Sequence, residues 1–193
     1  EPLANYDRTW AAVERIQCDL GISARRLTIS TVGLVPGIDR LAGEALPVNL
    51  AVSLHAADDE LRDELVPINR RHPIGQLSDA CERYIAAKGR RLSFEWALIA
   101  EVNDRAVDAE RLAPLCHRLG AHVNLIPLNP TRGFGVRGSS AGRVRTFRDH
   151  LRRLGVNATI RRNRGTDIEA ACGQLRATRV EIGGPRARPT RPT

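Results

Sequence analysis

The stretch VNLAVSLH, residues 48–55, is short, apolar and rich in β-branched side chains, and it closes on the polar residues Ser53 and His55. A run of this length and character reads as a buried strand of a parallel sheet. Working outward, RLTIS (26–30), RLSFEWALIA (91–100) and HVNLIPLN (122–129) have the same character, and NATIRRN (157–163) makes a fifth strand. Helical patterns fill the gaps at 6–21, 74–89, 104–120 and 139–155. Each closes on a glycine, the residue suited to a helix C-cap. Ser139 and Ser140 are candidate N-caps of the last helix, and Pro114 is expected to kink the third. Regular alternation of strand and helix predicts an α/β fold with a parallel sheet.

Four polar residues stand at strand C-termini: Ser30, Ser53, His55 and Asn129. In (β/α) architectures that edge carries the active site. A strand end also needs polar residues merely to begin a loop, so the shared position carries the argument and no single residue does.

The 193 residues suffice for one domain with a real core. No apolar run approaches a membrane span, and a cytoplasmic monomer is expected. The net charge is +8, and Lys88 is the only lysine. Positive charge supplied by arginine suits a polyanionic partner, because the guanidinium both pairs with phosphate and stacks on bases. Cys18, Cys81, Cys116 and Cys172 are scattered without a C-x-x-C pair, so no zinc site or disulfide framework is suggested. The first three lie in helical patterns beside apolar residues and are expected to be buried packing. Cys172 follows the basic run IRRNRG in a short, alanine-rich helical segment. A packed cysteine and a thiol that meets RNA both fit that setting. From Arg176 the chain turns irregular. Residues 1–178 are read as one domain and 179–193 as a basic, proline-rich, disordered tail. The opening EPLANYD, without a methionine, reads as the middle of a longer protein.

Five stretches in order, EPL (1–3), LTISTVGLVPGI (27–38), NLAVSLHAADDELRDELVPINR (49–70), VNLIPLNP (123–130) and RRNRGTDIEAACGQL (161–175), resemble the RlmN/Cfr family of radical S-adenosylmethionine RNA methyltransferases. The resemblance implies a partial (β/α) barrel with a [4Fe-4S] cluster and S-adenosylmethionine at its mouth. It places Glu1 on the methionine ammonium, and Ser30, Ser53, Leu54, His55 and Asn129 around the same ligand. Cys172 corresponds to the methyl-carrying cysteine, and Arg161, Arg162 and Arg164 would handle RNA. The implied reaction methylates carbon 2 of adenine in 23S rRNA and tRNA. Carbon 2 is a poor nucleophile, so Cys172 first takes a methyl group by displacement. A second S-adenosylmethionine then yields a radical that abstracts hydrogen from the S-methyl group. The resulting carbon radical adds to the base, and a further cysteine resolves the adduct through a disulfide. A reducing partner such as flavodoxin is implied.

The family's C-x-x-x-C-x-x-C loop, its resolving cysteine and its first strands would precede Glu1, and no residue here is expected to ligate a metal. The chain alone is therefore expected to be inactive. Two other functions stay open: a catalytically silent RNA-binding relic, and Cfr-type methylation at adenine carbon 8. A barrel enzyme acting on a phosphorylated small molecule would need a Gly-rich phosphate loop, which the sequence lacks.

Overall fold

A computed structural model describes residues 1–128 and 137–161. Asn129, Arg162, Arg164, Cys172 and the 179–193 tail lie outside the described residues. Five strands form one parallel sheet: β1 (Thr28–Thr31), β2 (Asn49–Ser53), β3 (Leu92–Leu98), β4 (His122–Pro127) and β5 (Ala158–Ile160). Their order in space is their order in sequence, β1-β2-β3-β4-β5. Crossovers between parallel strands are right-handed. A strand order that never reverses therefore sends every crossover helix to the same face. This separates a barrel segment from a doubly wound sheet, whose order reverses and whose helices cover both faces.

The helices are α1 (Tyr6–Leu20), α2 (Val35–Gly43), α3 (Asp59–Leu65), α4 (Ile74–Lys88), α5 (Ala106–Leu119) and α6 (Ala141–Arg153). They build a continuous outer layer in which α2 packs on α4, α4 on α5 and α5 on α6. Beneath it lie Leu50, Val52 and Leu54 of the second strand and its end, Leu92, Phe94, Trp96 and Leu98 of the third, and Val123 and Leu125 of the fourth, all buried. Phe147 of α6 stacks on Trp96 with ring centroids 6.1 Å apart. Such a pair adds about 1 kcal/mol beyond the area it buries.

The four long helices fall where periodicity places them. Gly89 and Gly120 close α4 and α5 at φ +57°, a left-handed conformation in which a side chain would be strained. The fifth helix runs through Pro114 without ending and begins at Ala106, because the Arg105 N–H is capped by Asp108 at 2.9 Å. The short helices α2 and α3 go unread in the sequence. The second helix carries proline in its first turn, where it is well tolerated. The third helix has only seven residues and depends on Asp58, whose carboxylate accepts the Leu61 N–H at 2.9 Å. One packing expectation fails. Cys81 and Cys116 are buried, but Cys18 is exposed. The buried stripe of α1 is Tyr6, Trp10 and Val13, and Cys18 lies off its continuation. Among the described residues no helix is long and apolar enough to cross a membrane.

The runs read as buried strands are not buried alike on both faces. In β3, Leu92, Phe94, Trp96 and Leu98 are buried while Ser93, Glu95 and Ala97 between them are partly exposed. The parallel register aligns Ser53 with Glu95, Glu95 with Asn124, and Asn124 with Thr159. The face turned away from the helices is thus a polar one, as the inner wall of a partial (β/α) barrel with a site at its mouth requires.

Candidate active site

All five strands end along one edge of the sheet, and Ser30, Ser53 and His55, three of the residues singled out at strand ends, lie there. Glu1 folds back over the end of β1. Its Oε1 accepts the Leu3 N–H at 3.0 Å and the Thr31 hydroxyl at 2.9 Å, and its Oε2 accepts the Val32 N–H at 2.7 Å. An ionised carboxylate offers about four acceptor sites. Those three bonds fix its position and leave room for one further donor, and Glu1 is exposed to receive it.

Ser30 and Ser53 lie on the open face, Ser30 exposed and Ser53 partly so. Leu54 points the other way, into the core. Its N–H donates to the Glu95 carbonyl at 3.1 Å and its carbonyl accepts from Arg62 at 3.1 Å. Both backbone groups of Leu54 are therefore engaged, and what it does is hold its two neighbours in place. His55 has φ +61°, which is uncommon outside glycine and costs energy that surrounding contacts must supply. Two contacts do so. The His55 Nδ1 accepts the Ala97 N–H at 3.1 Å, and the His55 carbonyl accepts from Asn103 Nδ2 at 2.8 Å. An Nδ1 that accepts a backbone N–H leaves the ring proton on Nε2. His55 can then offer a neutral N–H donor to a ligand.

Burial, and secondarily the Arg62 cation, push His55 down to about 4 from 6.5. Between those values the unfolded chain binds a proton that the folded chain does not. The contribution of His55 to stability is thus complete above pH 6.5 and is lost as pH falls toward 4. The drop in thermal midpoint over that interval should be smaller in His55→Asn, since asparagine tolerates positive φ and does not titrate. An equal drop in both proteins would remove His55 as the cause.

Two further residues build this edge. Arg62 of α3 is fully buried and donates to the carbonyls of Val32, Ser53 and Leu54. Asn103 is also fully buried and ties the end of β2 to the end of β3. In the sequence, Arg62 lies among aspartates and glutamates like any solvated helix charge, and Asn103 looks like an ordinary loop residue. The open face carries a polar row that the strand-end pattern does not point to. Asn124 Nδ2 donates to Glu95 Oε1 at 2.8 Å, and the Thr159 hydroxyl donates to Asn124 Oδ1 at 2.9 Å. Arg161, just past β5, is exposed at this same edge, with its N–H on the Leu125 carbonyl at 2.8 Å.

No protein-family model matches the chain. The dual-specificity RNA methyltransferase RlmN of Parafrankia sp. (strain EAN1pec) is 56% identical over 181 residues, covering 92% of this chain and 47% of that protein. The RlmN of Moorella thermoacetica is 51% identical over 184 residues, covering 94% and 52%. A radical SAM methyltransferase from Sphaerobacter thermophilus superimposes with a TM-score of 0.86 at 52% identity, over 90% of this chain and 52% of that one. The chain is similar to RlmN proteins over nearly its whole length. It spans about half the length of the curated relatives it matches. A domain of pyruvate-formate lyase-activating enzyme from Bacteroides vulgatus shares the fold, with a TM-score of 0.62 at 18% identity.

The two cofactors implied by the RlmN resemblance fit the described residues differently. S-adenosylmethionine fits. A fixed carboxylate with a free acceptor site, two hydroxyls and a neutral imidazole N–H share one edge, and these match an ammonium, a carboxylate and sugar hydroxyls in kind. An iron–sulfur cluster does not fit. Burial pushes the Cys81 and Cys116 thiols up to about 12, so neither supplies a thiolate, and Cys18 stands alone on α1. Among the described residues no group of three His, Cys, Asp or Glu side chains could hold a metal ion.

Proposed function

We propose that this chain forms the cofactor-facing part of an RlmN enzyme that methylates carbon 2 of adenine in 23S rRNA and tRNA. The observation that carries the reading is the convergence of Glu1, Ser30, Ser53 and His55. They come from three separate motifs and meet on one sheet edge in a chain that matches RlmN proteins. Bound S-adenosylmethionine supplies the methyl carbon. Glu1 takes the ammonium of its methionine portion. Ser30, Ser53 and the His55 Nε2–H orient the rest, and Asn129, outside the described residues, adds an amide that can donate and accept. The thiol of Cys172, also outside the described residues, carries the carbon to the base. Arg161, with Arg162 and Arg164 following it in the chain, takes RNA phosphates. Flavodoxin or a like protein is the reductant, and the enzyme works as a cytoplasmic monomer.

The test is product analysis. The full-length protein, carrying its cluster, is given S-adenosylmethionine, a reductant and a 23S rRNA fragment, and the digested nucleosides are separated by mass spectrometry. 2-Methyladenosine is the expected product. 8-Methyladenosine would make the enzyme Cfr-type, and intact RNA binding without methylation would favour the silent RNA-binding reading.

A further inference from the structure

Arg62 is among the largest fully buried side chains of the described residues, and it makes no direct ion pair there. Its Nε donates to the Leu54 carbonyl at 3.1 Å. Its Nη2 donates to the Val32 carbonyl at 2.8 Å and the Ser53 carbonyl at 3.4 Å, and its Nη1 to Asn69 Oδ1 at 2.7 Å. The nearest negative charge arrives through Asn69, whose Nδ2 donates to Asp59 Oδ1 at 2.9 Å and Asp63 Oδ1 at 2.7 Å. Burial lowers Arg62 to about 10, so it is charged at neutral pH.

A buried cation without a direct counter-ion is an expensive way to stabilise a fold, and an apolar side chain of like volume often does as well or better. What an apolar side chain cannot do is hold three carbonyls from two neighbouring strand ends in fixed directions. The planar guanidinium fork does this with donors set at constant angles. The carbonyls it holds belong to the site. Val32 gives its N–H to Glu1 and its C=O to Arg62, so that residue is gripped from both sides. Ser53 and Leu54 are gripped at their carbonyls, immediately before His55 turns to positive φ. Space is tight as well. A Cβ added to Gly33, at φ +104°, would come within 3.1 Å of Arg62 Nη2.

We infer that Arg62 is a positioning residue for S-adenosylmethionine: its guanidinium sets the strand-end peptides that aim Glu1, Ser53 and His55 at the ligand. The inference rests on the proposed function. Arg62 does not touch the ligand itself.

Three variants of the full-length protein test it: Arg62→Lys, Arg62→Met and Arg62→Ala. Lysine keeps the charge but concentrates its donors on one atom, so it cannot span the three carbonyls and Asn69 together. Equilibrium binding of S-adenosylmethionine should weaken about tenfold or more in Lys and Met variants that still melt cooperatively. In Arg62→Ala, millimolar ethylguanidinium should restore affinity, whereas ethylammonium at the same concentration should not. A purely structural role would not give that selectivity. A cooperatively melting Lys or Met variant that binds S-adenosylmethionine like the wild type overturns the inference. Misfolding of all three variants, unrelieved by ethylguanidinium, also overturns it and makes Arg62 a folding residue only. A wild-type protein that binds no S-adenosylmethionine overturns the proposed function and this inference with it. A wild type that binds alongside unaffected variants overturns the inference alone.

Discussion

Cys172→Ala in the full-length enzyme is expected to abolish RNA methylation while leaving S-adenosylmethionine binding at the wild-type level. The expectation follows from the chemistry of the acceptor. Adenine carbon 2 carries no lone pair with which to displace a sulfonium-bound methyl group, so the carbon must first rest on a nucleophile, and a thiolate is the best one a protein offers. By the function proposed above, that thiol is Cys172 of the AACGQL motif. Of the other cysteines, Cys81 and Cys116 have thiols pushed up to about 12 by burial, and Cys18 lies on α1. None of the three can substitute. Peptide mass spectrometry should find S-methylcysteine at position 172 in the wild type and lose it in the variant. Cys81→Ala is the control, with some loss of stability from the vacated core volume and unchanged methylation. Wild-type turnover in Cys172→Ala would return that cysteine to the status of a packing residue.

The fold was legible wherever the sequence carried a long period. Five apolar runs gave five strands, and four extended helical patterns gave four helices, because burial under one helical layer imposes its signature over many residues. It was not legible where a single bond decides an element, as the Asp58 cap does for α3. Nor does apolar content alone reveal that one sheet face carries no helices. Yet the alternation in RLSFEWALIA already shows it, with Ser93, Glu95 and Ala97 interleaved among Leu92, Phe94, Trp96 and Leu98. The site divides in the same way. Ser30, Ser53 and His55 stand out as candidates because strand ends are where barrels place chemistry, and Glu1 because a motif carries it. Arg62, although it lies within the motif stretch 49–70, and Asn103 do not stand out, since what they hold is backbone carbonyls and N–H groups that have no letter in the sequence. A buried arginine and a solvated one are written alike.

Asn103→Leu should be among the most destabilising single changes in the described residues, and it should weaken the ligand site as well. The Asn103 side chain donates to the His55 and Ala97 carbonyls, each at 2.8 Å, and accepts the Ile99 N–H at 2.7 Å. The Trp96 indole N–H, at 3.1 Å from the Asn103 carbonyl, anchors the loop from beneath. Leucine has nearly the same shape and fills the space, so little cavity is created. The loss is polar: three backbone groups lose their partner, a side chain that is itself fully buried. At about 1–3 kcal/mol for each orphaned group, the penalty is on the order of 3–9 kcal/mol. That is a large share of the roughly 5–15 kcal/mol that holds a domain together. Asn103→Asp separates the terms, because it keeps the acceptor for Ile99 but sets a carboxylate against two carbonyls, and it should fare no better than leucine. The site should suffer because the His55 carbonyl is one of the two contacts that hold its left-handed backbone. Once that is released, the imidazole loses its fixed aim, and S-adenosylmethionine affinity should fall along with stability. Urea unfolding measures the first effect as a lower midpoint at unchanged slope. A loss below about 1 kcal/mol would mean that the three freed groups find other partners, and Asn103 would then not be the tie between β2 and β3.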